Sequence, residues 1–157
     1  MAQATPATVA LRALGVAFDL ATYDYDPDAE RVGLQAAEAL GEPASRVLKT
    51  LIAQVDGKPV CLVLPSDREA SMKKVAAAFG GKSAAMLPVP DAERITGYKV
   101  GGVSPFGQKK RLRTVVELDA LAEPYVYVNG GRRGLQLRLA PADLLAAAGA
   151  AAAAIVA

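Results

Sequence analysis

A chain of 157 residues, 52% of them apolar, is sized for one domain with its own core and needs neither a disulfide nor a metal to fold. It has no histidine and a single cysteine, which excludes histidine-dependent triads, an intramolecular disulfide and a multi-cysteine zinc site. The net charge is only +2, yet residues 98–138 hold eight Lys or Arg against three acids, so that segment suits an anionic partner or a solvated basic face.

The first predicted element is a helix, with Thr5 placed to cap it, Pro6 at its first position and Gly15 as its stop. Ala17 to Tyr25 alternates as a strand carrying Phe18, Leu20 and Tyr23. A short helix runs from Gly33 to Leu40 and ends at Gly41. Val47–Val55 and Lys58–Leu64 flank Asp56-Gly57, a strong two-residue hairpin signal. Cys61 lies in the second of these runs and reads as an inert core thiol. Ser71 is placed to cap a helix from Met72 to Phe79, closed by Gly80-Gly81, and Asp91 to cap a shorter one ending at Gly97. Four short strands are expected near Gly101–Val103, Thr114–Val116, Tyr125–Val128 and Leu135–Leu139, with Asn129-Gly130-Gly131 turning between the last two. Pro141 opens a final helix, and its alanine tail is expected to fray.

The hairpins require antiparallel pairing, and helices and strands mix without a regular alternation. The expected fold class is α+β, with a mixed, barrel-like β-sheet and peripheral helices. No repeat or linker divides the chain, so residues 1–157 read as a single domain. Met1 to Pro6 lacks the charged and apolar regions of a signal peptide, and the alanine-rich end from Leu144 is too short to cross a bilayer. A cytoplasmic protein is expected.

Two places concentrate chemistry. Lys49 stands inside an apolar run, where it must either snorkel, face a polar cavity or guard a sheet edge. Tyr98 to Arg111 joins Gly101-Gly102, Pro105 and the basic run Lys109-Lys110-Arg111. Its N–H groups can cradle an oxyanion or phosphate, although glycine and proline also make plain turns. Gly102 and Gly107 have the spacing of a P-loop, but Gln108-Lys109 replaces the Lys and hydroxyl that should follow. Asp24, Asp26 and Asp28 have the spacing of a calcium loop, but Ala29 and Gln35 replace its glycine and glutamate, so no metal is expected. Tyr125 and Tyr127 face one side, which suits core packing. For Arg132 and Arg133, in a glycine-flanked turn, phosphate contact and simple solvation are equal alternatives.

Taken in order, several motifs resemble the YbaK family of trans-editing aminoacyl-tRNA deacylases, the bacterial Cys-tRNA(Pro) deacylase type. They are Thr22-Tyr23 with Asp26-Pro27, Val47-x-Lys49-Thr50-Leu51, Met72-Lys73-Lys74-Val75-Ala76, the stretch from Thr96 to Leu112, and Tyr127-Val128-x-Gly130-Gly131-x-Arg133-Gly134-Leu135. The same fold is similar to the editing domain inserted in bacterial prolyl-tRNA synthetases. The resemblance implies a mixed β-barrel that hydrolyses the ester joining a wrong amino acid to tRNA, Cys-tRNA(Pro) first, with no cofactor and no metal. It implies that Lys49 lies in the pocket and that Gly101, Gly102, Val103 and Ser104 act at the substrate carbonyl, in a loop ending at Pro105. It implies substrate contacts for Tyr23, Pro105, Asn129, Gly131 and Gln136, and tRNA contacts for Lys109, Lys110, Arg111, Arg132 and Arg133. The implied partners are the aminoacylated 3′ end of tRNA and, as a docking partner, prolyl-tRNA synthetase.

In cysteine-specific members of that family the substrate's own thiol attacks the ester, which suits a chain without histidine. Asn129 stands where those members have serine, and Gln136 where they have aspartate. These departures bear on amino-acid specificity more than on reaction class. A water-using deacylase for Ala-, Ser- or Thr-tRNA and a non-catalytic tRNA-binding module of the same fold stay open beside the first reading.

Overall fold

The computed structural model describes residues 4–28 and 32–157. Helix α1 (Pro6–Ala13) starts where the sequence places it. The Thr5 hydroxyl accepts from Thr8 N at 3.1 Å while Thr5 N donates to Thr8 Oγ1 at 2.8 Å, a reciprocal cap. The same hydroxyl donates to Gly130 O at 2.6 Å and ties the helix start to a turn far along the chain. Strand β1 (Asp19–Thr22) is shorter than the alternating stretch around it, and α2 (Val32–Leu40) follows. β2 (Leu48–Val55) and β3 (Lys58–Pro65) form the expected hairpin. Asp56 and Gly57 take φ of 50° and 83°, the left-handed backbone that such a turn requires.

The Ser71 hydroxyl caps α3 (Met72–Ala78) by accepting from Lys74 N at 3.3 Å. A strand absent from the sequence reading, β4 (Ala84–Met86), precedes α4 (Val89–Thr96). Asp91 lies in the first turn of α4 instead of capping it, because Pro88 and Pro90 set the helix start three residues earlier, with Pro88 at the cap. Then come β5 (Thr114–Glu117), a short 3₁₀ turn (Leu118–Ala122), β6 (Val126–Asn129), β7 (Leu135–Leu139), α5 (Pro141–Ala148) and β8 (Ala151–Ala153). Asn129 is the last residue of β6, not part of the turn. The alanine tail does not fray. β8 pairs in parallel with β5, and the buried Glu117 carboxylate accepts from Ile155 N at 2.8 Å and Val156 N at 3.2 Å.

The strands form two sheets. The larger has the order β4-β2-β3-β5-β8, antiparallel on the β2 side and parallel from β3 to β8. The smaller, β1-β7-β6, is antiparallel throughout. One isolated parallel bridge, Val47 to Tyr127, links them. The α+β expectation holds, but among the described residues the ladders do not close into a barrel. The edge strands β4 and β8 have three residues each, too few to carry the larger sheet round.

β3 lies at the centre and is buried on both faces. Cys61 and Val63 join a core with Leu11, Val128, Leu137 and Leu144, whereas Val60, Leu62 and Leu64 pack on Val75, Phe79 and Ile155. Double burial accounts for the unbroken apolar run in this strand. Burial pushes the Cys61 thiol up to about 11, in keeping with an inert core residue. No helix among the described residues is long and apolar enough to cross a membrane.

Candidate active site

A cavity of about 410 Å³ opens where the two sheets meet, a size suited to a small ligand. One wall is the first half of β2. β4 pairs only with Ala53 to Val55, so the preceding residues leave one strand edge open to the cavity. Lys49 and Thr50 therefore both line it, although alternation puts their side chains on opposite faces of the strand. Lys49 is the only Lys, Arg, Asp or Glu among the described lining residues. Two of the alternatives for this lysine, a cavity and a sheet edge, thus meet at one position.

Three buried polar atoms have no hydrogen-bond partner among the described residues: Tyr23 Oη, Thr50 Oγ1 and Gln136 Oε1. All three residues line this cavity. Each such atom costs about 1–3 kcal/mol when buried alone, and the three converge on one cavity, with Tyr23 and Gln136 as neighbours. Burial raises the Tyr23 hydroxyl above its ordinary value, and the neighbouring Gln136 side chain works against that rise.

The glycine loop is not the strand expected at Gly101–Val103. Its backbone bonds go to a turn and to side chains instead of to a ladder. Gly102 N donates to Lys99 O at 2.8 Å, and Gly101 has φ 89°. Asn129 Nδ2 donates to Gly101 O at 3.1 Å, and Arg133 Nε donates to Val100 O at 2.8 Å. The Arg133 guanidinium lies over the Tyr25 ring, 5.3 Å from its centroid. Asn129 Oδ1 accepts from Gly131 N at 2.7 Å and Arg132 N at 3.2 Å. A Cβ on Gly102 would sit 2.9 Å from Arg133 N, so the hairpin loop presses directly on glycine backbone.

Tyr23, Lys49, Gly101, Val103, Asn129 and Gln136 meet at the cavity. Gly102, Ser104, Pro105 and Gly131 are not in its lining. The Ser104 hydroxyl accepts from Phe106 N at 3.3 Å, and Gly131 packs near Tyr98 and Thr5. Lys109, Lys110, Arg111, Arg132 and Arg133 are exposed outside the cavity. Lys109 N and Lys110 N bond to Thr96 O and Ile95 O, which pins the basic run beside the end of α4. No helix follows Gly107, so the anion-binding element of a P-loop is missing. Gln35 bonds to both the N–H and the carbonyl of Asp26, and no metal-binding group occurs among the described residues. Ala29, one of the two positions that break the calcium pattern, lies outside those residues.

Thr50 and Ser66 line the cavity without having been singled out from sequence as site residues. Adjacency to Lys49 was a usable signal for Thr50. Ser66 carried none, because only the fold brings its hydroxyl to Val47 O. Met86, Val89 and Val100 give the cavity an exposed apolar rim.

Residues 26–147 match a family model described as the aminoacyl-tRNA editing domain. A protein of Enterococcus faecalis, provisionally named Cys-tRNA(Pro)/Cys-tRNA(Cys) deacylase EbsC, is 41% identical over 111 residues, which cover 69% of this chain and 67% of that protein. The proline–tRNA ligase of Geobacter metallireducens is 30% identical over 99 residues, 63% of this chain but 17% of the ligase. A crystal structure provisionally described as a trans-editing enzyme for prolyl tRNA synthetase superposes with a TM-score of 0.83, covering 100% of this chain and 98% of that one at 23% identity.

Proposed function

The chain belongs to the aminoacyl-tRNA editing domain family, and from that premise we propose that it is an aminoacyl-tRNA deacylase acting in trans, with Cys-tRNA(Pro) as its substrate. The observation that carries this reading is the meeting of Lys49, a glycine turn and three unpartnered polar atoms in one cavity. The aminoacyl group enters the cavity while the terminal adenosine stays at its mouth. The Lys49 ammonium holds a ribose or phosphate oxygen and orients the ester. Loop N–H groups stabilise the oxyanion; one such donor is typically worth about 3–4 kcal/mol. Exposed Lys109, Lys110 and Arg111 hold the tRNA backbone electrostatically. This activity belongs in the cytoplasm, with prolyl-tRNA synthetase as an added docking partner.

The nucleophile is the substrate thiol. Its sulfur bonds to the carbonyl carbon, the carbon–oxygen bond to the ribose breaks, and the thiol proton goes to the departing ribose oxygen. Free tRNA and a cyclic thiolactone result, and water opens the thiolactone to cysteine. Intramolecular attack avoids the entropy of recruiting a second reactant and needs no histidine. A second reading is favoured by one observation. Tyr23 Oη, Thr50 Oγ1 and Gln136 Oε1 supply enough polar partners to hold an attacking water, as a deacylase for Ala-, Ser- or Thr-tRNA requires.

Deacylation of Cys-, Ala- and Ser-tRNA(Pro) at equal concentration, with trapping of the released product, tests both. Fast release of cysteine through a transient thiolactone is expected. Ala-tRNA hydrolysed as fast as Cys-tRNA would replace the thiol with water. A protein that binds tRNA yet cleaves none of the three would be a silent binding module.

A further inference from the structure

For Arg133 the sequence leaves phosphate contact and simple solvation as equal alternatives, but its Nε is bonded within the protein. It donates to Val100 O at 2.8 Å, and the guanidinium rests on Tyr25. Asn129 holds the next carbonyl, that of Gly101, at 3.1 Å. The backbone of Arg132 and Arg133 fills the space where a Gly102 side chain would be. The end of β6 and the loop that follows it therefore grip residues 100, 101 and 102 in succession, like a splint.

This grip fixes the direction of the loop's donors. Every peptide bond among the described residues is trans. In a trans peptide the carbonyl and the N–H lie in one plane and point opposite ways. Asn129 holds the peptide between Gly101 and Gly102, and its N–H is already bonded to Lys99 O. That donor is not available to a substrate. Arg133 holds the peptide between Val100 and Gly101, and its N–H, on Gly101, has no partner among the described residues. Val100 and Gly101 line the cavity, whereas Arg133 does not.

We infer that Arg133 is a positioning residue: by holding the Val100 carbonyl outward it turns the Gly101 N–H inward, as the oxyanion donor for the ester carbonyl. The inference rests on the deacylase reading and adds to it one donor, one plane and one residue that sets the plane.

Two substitutions separate the Nε bond from the charge. In Arg133→Gln the side-chain nitrogen is attached to Cδ, as Nε is, so the donor is kept and the charge is lost. Arg133→Lys keeps the charge and loses a nitrogen at that position. Single-turnover deacylation is measured at saturating protein, alongside the affinity for uncharged tRNA and its salt dependence. Arg133→Lys is expected to lose about tenfold or more in rate, part of what a lost oxyanion donor costs, with affinity unchanged. Arg133→Gln is expected to stay within about threefold of the wild-type rate, a small fraction of that loss. The reverse pattern overturns the proposal: a normal rate in Arg133→Lys, with weaker binding and a shallower salt slope in Arg133→Gln, makes Arg133 a phosphate ligand.

A second measurement does not depend on turnover. The Gly101 amide resonance and its hydrogen exchange are expected to change in Arg133→Lys and to hold in Arg133→Gln. A Gly101 amide unmoved in Arg133→Lys refutes the positioning role even in an active enzyme. A wild-type protein inert toward every aminoacyl-tRNA refutes the deacylase reading, and the amide measurement still decides the geometry.

Discussion

Thr50, Tyr23 and Gln136 show how a site can cost stability. The buried Thr50 hydroxyl makes no hydrogen bond among the described residues, so its loss should stabilise the fold. Thr50→Val is expected to raise unfolding free energy by about 1 kcal/mol, roughly 2–4 °C in Tm, while slowing deacylation. Thermal unfolding and single-turnover rates on the same preparation check both halves. Lys49→Ala should abolish most deacylation with Tm little changed, and a folded variant with the wild-type rate would remove Lys49 from the chemistry. Gly102→Ala forces a methyl against the Arg132–Arg133 backbone and should cost about 1–3 kcal/mol of stability as well as rate. Cys61 gives a pH signature. The folded protein keeps its thiol proton to about 11, whereas an unfolded chain releases it near 9.0. The folded state thus binds the extra proton in between, and raising pH through that window should remove about 2–3 kcal/mol of stability. Denaturant midpoints between pH 8 and 11, compared with Cys61→Ala, test this. Lys49 was legible as a cavity residue because it breaks an apolar run, and Gly101 because it opens a glycine–proline loop. Thr50 offered only its adjacency to Lys49, because threonine inside a strand is ordinary.

Elements that depend on distant side chains were the ones the sequence hid. Alanine has little strand preference, so nothing local marks Ala151–Ala153 as β8. Glu117, nearly forty residues earlier, does so by accepting the N–H groups of Ile155 and Val156. Oε1 accepts both of these N–H groups while Oε2 accepts from Asp119 N, and Glu117→Ala removes the two oxygens together. The expected loss is about 2–3 kcal/mol, or roughly 5–10 °C in Tm, with faster amide exchange confined first to residues 151–157. Unchanged exchange there would detach Glu117 from the tail. The misread strand at Gly101–Val103 has a similar cause. Its pattern was extended, but Asn129 and Arg133 supply the partners that a neighbouring strand would have offered. The Asp56-Gly57 hairpin and the α1 and α3 caps were legible because their determinants lie within a few residues of where they act.

The α+β class followed from hairpin signals and mixed elements, but the expected barrel-like closure is not found among the described residues, since strand order is set by contacts far apart in sequence. Charge placement was legible in advance, and the segment from Lys109 to Arg111 is exposed as a nucleic-acid face requires. Log affinity for tRNA should fall linearly with log salt, and neutralising Lys109 and Lys110 should each shallow the slope by roughly 0.7–0.9. Affinity indifferent to salt would rule that face out. The bridge from Val47 to Tyr127 pairs the backbones of the two sheets, and the cavity lies across the same join, with Lys49 and Thr50 on one side and Asn129 and Gln136 on the other. An occupant bonded to both sides would act as a rivet. At a hundred times its dissociation constant it would add about 2.7 kcal/mol to the unfolding free energy. That gain would register as slower amide exchange in β2, β6 and β7 together, so that two sheets free to breathe separately when empty would breathe as one when filled.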